Sequence, residues 1–261
     1  MRYLRLYLHF LRFSFSKAME FRLDFFFRIF MDINYYAVSI CFYKVLYLHS
    51  QTLAGWNEAQ MMVFVASFLF VDALIMTFIS NNMWWFPFLI NRGDLDYYLT
   101  RPVSSLFFLS LREFAANSFV NLIMSMGILV WSFSLYEVSF PWWKIVLHLS
   151  LLFLGCFLFY SLRMLLMIPV FWTQADNGLL MMFITLQRVM ERPDGIFKGL
   201  VRKIFITIIP FSLIASFPTR ILFQPWDSAL VIRLLVTTFI FFFLLLYCWR
   251  FGLRNYSSAS S

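Results

Sequence analysis

The sequence predicts an all-α integral membrane protein that crosses the bilayer as about six helices. Three observations carry this reading. The chain of 261 residues is 62% hydrophobic, with a mean hydropathy of +0.79. Only 13% of it is charged, against about 25% in a soluble domain. Its apolar residues gather in runs of about twenty, the length a helix needs to cross a ~30 Å hydrocarbon layer. A water-soluble fold of this length could not hide so much apolar surface, so lipid is the solvent that fits.

Residues 1–22 precede the first run. Arg2, Arg5, His9, Arg12, Ser16 and Glu20 recur at steps of three and four, which puts them on one face of a helix. Leu and Phe fill the rest of the wheel. This is a basic amphipathic helix suited to the membrane interface. A signal peptide fails, because Arg12 and Lys17 interrupt any apolar stretch and no small-residue cleavage site follows.

The six spans are expected at about 26–47, 61–83, 114–136, 145–172, 204–219 and 229–250. The third carries no charge and would rise about 35 Å. The fifth is short and holds Pro210 and Pro218. Residues 220–228 are partly apolar and Pro-interrupted, and read as a re-entrant segment at the outer face. No linker divides the chain, so residues 1–261 form a single transmembrane domain. It comprises the interfacial helix 1–22, spans within 26–250 and a tail at 251–261.

Lys and Arg in the connections set the expected orientation. The N-terminal segment, the second connection, the fourth connection (173–203) and the tail hold fifteen, against three elsewhere. Both termini and both even-numbered connections are therefore expected in the cytoplasm. The net charge of +8 then reflects topology and anionic lipid, with no nucleic-acid partner.

Motifs of soluble catalysis are missing. The eight glycines form no phosphate-binding loop. The three His and three Cys sit far apart with no metal-ligand spacing, so no metal site and no catalytic residue is expected. Charges inside the spans are the remaining polar signal. Asp32, Lys44, Asp72 and Arg163 each cost several kcal/mol at mid-bilayer unless paired or wetted. Asp32 is expected to pair with Arg28 one turn away. Asp72 lies deepest, and either pairs structurally or lines a path with Arg163. No convergent set of polar groups marks a cargo site.

The most specific stretch is Arg92-Gly93-Asp94-Leu95-Asp96-Tyr97-Tyr98-Leu99-Thr100-Arg101-Pro102. Gly93 can end the preceding helix, Asp94 can cap a new one, and Pro102 stops it. A short helix with Leu95, Tyr98 and Leu99 on its apolar side is suited to a groove on a partner.

Gly93-Asp94-Leu95-Asp96, Leu99 and Arg101-Pro102 resemble the cytoplasmic motif of type-2 ATP-binding-cassette (ABC) transporter permeases, in a branch of bacterial exporters. A second block agrees: Arg192-Pro193, Ile209-Pro210-Phe211 and Phe217-Pro218. Tyr97, Tyr98 and Thr100 depart from the commoner aliphatic residues.

The resemblance implies a non-catalytic permease subunit in a bacterial cytoplasmic (inner) membrane. It would pair with a second copy or a sister permease, along the first, second and fifth spans. Separate ABC ATPase subunits would hold ATP and Mg, so this chain would bind no cofactor. Residues 93–102 would be the coupling helix that receives the ATPase stroke, with the N-terminal helix as a second contact. The cargo would be an exported amphiphile or hydrophobic compound. The alternative is a stand-alone ion-coupled carrier or channel using Asp72 and Arg163, and a third reading is a membrane scaffold.

Overall fold

Helix α1 (Arg2–Glu20) forms on the predicted amphipathic pattern. Arg5, His9, Arg12, Ser16 and Glu20 are exposed. On its other flank, Tyr3, Phe10 and Phe15 set their rings 4.9, 5.2 and 5.3 Å from Phe107, Phe108 and Phe114. This computed structural model describes residues 2–20, 22–135, 140–173, 178–225 and 227–256. The Arg2 and Lys17 side chains, Asp176 and the tail end 257–261 fall outside the described residues. Among the described residues the regular structure is helical, apart from an isolated bridge between Leu53 and Trp56.

Helix α2 (Arg22–His49) is the first crossing. It turns Phe26, Phe27, Phe30, Val38, Phe42 and Leu48 outward. Helix α3 (Glu58–Ile75) starts at a reciprocal cap between Asn57 and Gln60. It continues through a π-helical turn, Met76–Ser80, into α4 (Asn81–Asn91). Every residue from Met61 to Val71 is buried, as expected for a helix that is apolar all round. α3 is thus the spine of the bundle.

After α4 come the short α5 (Leu95–Leu99) and α6 (Ser105–Leu111), then α7 (Ser118–Ser134). The irregular stretch before α7 is tied to the π turn. Ala115 N–H donates to Thr77 O at 3.0 Å, and Glu113 and Asn82 exchange two bonds of 2.7 and 2.8 Å. The backbone groups released at both breaks satisfy one another. Helix α8 (Trp142–Met167) continues past Pro169 into α9 (Val170–Thr173), where Phe171 meets Trp249 near the end of the last helix.

The next crossing corrects the sequence reading. The fifth passage is α10 (Gly178–Gln187), not 204–219. Residues 188–203 lie at the end of the bundle away from α5. The Tyr43 hydroxyl donates to Glu191 O at 2.6 Å. Gly195 sits so close to the α2–α3 loop that a Cβ there would come 2.7 Å from Ala54 O. Helices α11 (Gly199–Thr207) and α12 (Ser216–Phe223) then form a hairpin that dips into the bundle and returns.

α12 runs beside the first half of α8. Lys144 donates to Leu222 O and Gln224 O at 3.3 and 3.1 Å, and His148 Nδ1 lies 3.1 Å from Pro218 O. At the bottom of the hairpin Ile214 abuts Gly155. That contact is about 20 Å below Trp142 at a 1.5 Å rise per residue. Pro210 and Pro218 break no span. Pro210 precedes the bottom turn, and Pro218 sits in the first turn of α12, where no helical N–H is missed. The last described helix, α13 (Ser228–Asn255), packs along α8 and carries the last crossing beyond residue 250 into the expected tail.

Four helical stretches are long and apolar enough to cross a membrane: Leu23–His49, Glu58–Asn91, Trp142–Thr173 and Ser228–Asn255. α7, at 17 residues, and α10, at 10 residues, complete the passages. The second span is mostly buried within the chain, whereas α2 is almost wholly uncovered.

Candidate functional site

The α5 end of the molecule holds the stretch singled out by its motif. Gly93 adopts φ +76°, a left-handed conformation that closes α4. Asp94 precedes α5 but makes no side-chain cap bond, contrary to expectation. Leu95 is 0% exposed and Tyr98 only 8%. The Tyr98 ring packs 5.4 Å from Phe108, and Arg112 donates to its hydroxyl. These two residues therefore anchor the turn to its own chain instead of offering it to a groove.

What α5 presents outward is a different set. Asp94, Tyr97, Leu99, Arg101 and Pro102 are exposed, and Gly93 and Asp96 are half-buried. The Arg101 guanidinium lies 4.3 Å over the Tyr97 ring and donates to its hydroxyl. Tyr97 was read only as a departure from the motif, yet it is the largest side chain on this face. α1 runs alongside: Ser104 N–H donates to the Tyr3 hydroxyl at 3.3 Å, and Phe114 N–H to Ser14 Oγ at 3.2 Å. The turn and the amphipathic helix thus form one continuous surface, with Arg5 and Arg12 on it.

Two of the intramembrane charges, Asp32 and Asp72, line a cavity of about 520 Å³ between α2, α3, α4, α7 and α10. Asp32, Tyr35 and Tyr36 face it from α2, Asp72 from α3, Ser80 and Trp84 from the π turn and α4, Asn121 from α7 and Gln187 from α10. The π turn helps to shape this wall, as such turns often do at working sites. The expected pairings are not made. Arg28 pairs with Asp24 at 2.8 Å, while Asp32 accepts from Asn121. Asp72 has no hydrogen bond and no ion pair among the described residues. Arg163, 3% exposed, donates to Ser80 Oγ at 3.2 Å and lies 5.9 and 5.3 Å over the rings of Trp84 and Phe183. Lys44 sits apart, 5.6 Å over Trp131.

The sequence named Asp32, Asp72 and Arg163 but missed the rest of this cluster. One signal was available: Asp32, Tyr35 and Tyr36 lie at helical spacing on one face. The partners on α7 and α10 had no such signal. A smaller cavity of about 270 Å³ adjoins the first and shares Arg28, Asn81, Ala115 and Asn117 with it. It reaches Phe13 and Ser14 of α1.

At the far end a single carboxylate holds both arms of the hairpin. Asp194 is 0% exposed. Its Oδ2 accepts from Arg202 on α11 at 2.7 and 3.2 Å, and its Oδ1 from Ser216 and Arg220 on α12 at 2.6 and 2.5 Å. Burial alone would raise this carboxyl. The Ser216 bond, Arg220 and Arg202 outweigh it and hold the group below the ordinary carboxylate value. At Glu191, exposed to no such donors, burial wins over Arg188 and Arg192 and the carboxyl is raised.

A family model described as ABC-2 family transporter protein matches residues 33–260. The chain belongs to the ABC-2 family of transporter proteins. It is therefore a multi-pass membrane component of transport, and an ABC permease subunit. A search of curated proteins and a search of solved structures each give no match. The family match takes in the α5 turn, the whole hairpin and the residues of the Asp72 cavity from Tyr35 onward, and begins one residue after Asp32. α1 and the start of α2 lie outside it.

Proposed function

We propose that this ABC-2 permease subunit exports an amphiphilic or hydrophobic compound, using ATP that separate ATPase subunits hydrolyse. The observation that carries the reading is the exposed face of α5 at one end of a helical bundle from this family. Buried Leu95 and Tyr98 fix the turn, so a force applied to Tyr97 or Arg101 reaches α6 and α4 without being lost in a flexible loop. ATP and Mg belong to the partner. Two copies, or this chain and a sister permease, pair through the apolar face of α2 and the exposed surface of α11, whose Leu200 and Val201 are uncovered. The α5 end and both termini face the cytoplasm of a bacterial inner membrane, and the hairpin faces outside. ATP binding draws the ATPases together, and α5 passes that motion to the cavity walls.

The test is purification of the tagged chain from its native membrane in mild detergent, with and without Asp94→Arg plus Tyr97→Ala. Both positions are exposed, so the fold is left alone. Co-purified ATPase and ATP turnover that disappear in the double variant support the reading. Absence of an ATPase from both preparations, with transport driven by an ion gradient, replaces it with a stand-alone carrier.

A further inference from the structure

We propose that the cavity beside Asp72 binds a cationic amphiphile, its ammonium or guanidinium head between Asp32, Asp72 and Asn121 and its apolar body against Trp84. This names the cargo class for the transport reading above and rests on it.

The argument starts from hydrogen-bond bookkeeping. Asp72 makes no hydrogen bond and no ion pair among the described residues. Asp32 accepts from Asn121. Because an ionised carboxylate only accepts, the amide nitrogen of Asn121 must face it. The other end of that amide, Oδ1, is buried with no donor, in a residue only 4% exposed. Three acceptors from α2, α3 and α7 therefore line one cavity: Asp72 and Asn121 Oδ1 lack donors, and Asp32 has the Asn121 amide as its donor.

The charges agree. Arg28, at the rim, is matched by Asp24 at 2.8 Å. Arg163 lies behind Ser80, where it is 3% exposed, and supplies one positive charge against two carboxylates. Unmatched negative charge inside a membrane helix is costly and calls for a cation. An anionic head would meet the carboxylates and be rejected, and a neutral one would leave them unpaired.

Size and walls decide between an inorganic ion and an organic one. A volume of about 520 Å³ lies within the range of small-molecule sites and far exceeds a bare ion. Tyr35, Tyr36 and Trp84 supply the aromatic faces that favour organic cations. The adjoining smaller cavity extends the site toward α1. There Asp24 is paired with Arg28 and Glu113 with Arg112 at 3.0 Å. The two carboxylates with no ion pair among the described residues of these cavities, Asp32 and Asp72, lie deeper, so the attraction increases inward.

The experiment uses the full chain in nanodiscs of zwitterionic lipid and no ATPase, so it stands whether or not an ATPase co-purifies. Ethidium, an aromatic cation with amino donors, is titrated and followed by fluorescence anisotropy. Octylammonium, octanoate, octanol and sodium are then tested as competitors. Saturable binding displaced by octylammonium alone is expected. Asp72→Asn and Asp32→Asn should each weaken it about tenfold, the effect of losing one modest ionic contact. Asp72→Glu, which keeps the charge, should restore it, and all variants should elute as the native chain does. Equal displacement by octanoate or octanol overturns the proposal, as do Asn variants that bind like the native chain. Displacement by sodium but not by octylammonium makes the cavity an inorganic-ion site and overturns it as well.

Discussion

The two ends of the bundle handle their arginines in opposite ways. At the α5 end Arg92 and Arg101 point into solvent, and Arg101 rests on the exposed ring of Tyr97. At the hairpin end Arg202 and Arg220 turn inward onto Asp194, which is 0% exposed. One end leaves its cations uncovered, and the other is a closed clamp. The difference shows why a count of basic residues misassigned the fourth connection. Once Arg188, Arg192, Lys198, Arg202 and Lys203 move to the hairpin end, the count changes from fifteen against three to ten against eight. One of those five cations, Arg202, together with Arg220 marks where a carboxylate needed partners and says little about sidedness.

The sharpest way to break this comparison is an all-or-none measurement of sides. With the three cysteines replaced by alanine, Tyr97→Cys and Lys198→Cys should label with a membrane-impermeant maleimide from opposite faces. Labelling from the same face removes the hairpin assignment. Next in size is Asp194→Ala, which leaves two arginines without their buried anion. A loss of about 3–5 kcal/mol is expected, typical of breaking one side of a buried pair, read as earlier thermal unfolding and faster proteolysis between α10 and α12.

Leu95→Asp should cost about 2–5 kcal/mol, since it puts a charge where a fully buried side chain was. Tyr97→Ala, two residues on and 59% exposed, should change stability by less than about 0.5 kcal/mol while uncoupling the ATPase. That contrast separates anchor from contact within a single turn. Gly155→Ala brings a Cβ to 2.5 Å from Ile214 O and should loosen the hairpin by about 1–3 kcal/mol, without changing ATPase co-purification.

Acid supplies the mildest perturbation. Asp194 is held below its ordinary value of 3.8, so its folded form favours the ionised state. Its contribution is complete at neutral pH and remains so down to about 3.8. It is then lost as the pH falls through the lower folded value. Proteolysis of the hairpin should rise only in that acidic window, and Asp194→Asn should flatten the profile.

Much of the architecture was legible before any coordinates. The amphipathic α1, the spans around α2, α3, α7, α8 and α13, and the short turn after Gly93 all follow from periodicity and glycine chemistry. α10 was not legible. Its ten residues, mostly apolar, are fewer than a bilayer needs alone, and Arg188 and Asp176 beside it make it read as loop. The hairpin arm 204–219 looked like a span because its apolar residues cover a re-entrant turn as well as they would cover a crossing. Within α5, the sequence marked the right segment but not its faces. Which of Leu95, Tyr97, Tyr98 and Leu99 points inward depends on Phe108 and Arg112, supplied by the next helix.

By itself the sequence determined the solvent, the helical class and the place of the short turn after Gly93. Hydropathy and helical periodicity are summed along the chain and need no neighbour to be read. The tertiary structure alone decided the α10 crossing, the Asp194 clamp and the cavity that joins Asp32, Asp72 and Asn121. Each depends on which helices lie side by side. Asp32 and Asn121 are 89 residues apart, and pairing over such a distance is set by packing, which no local pattern records.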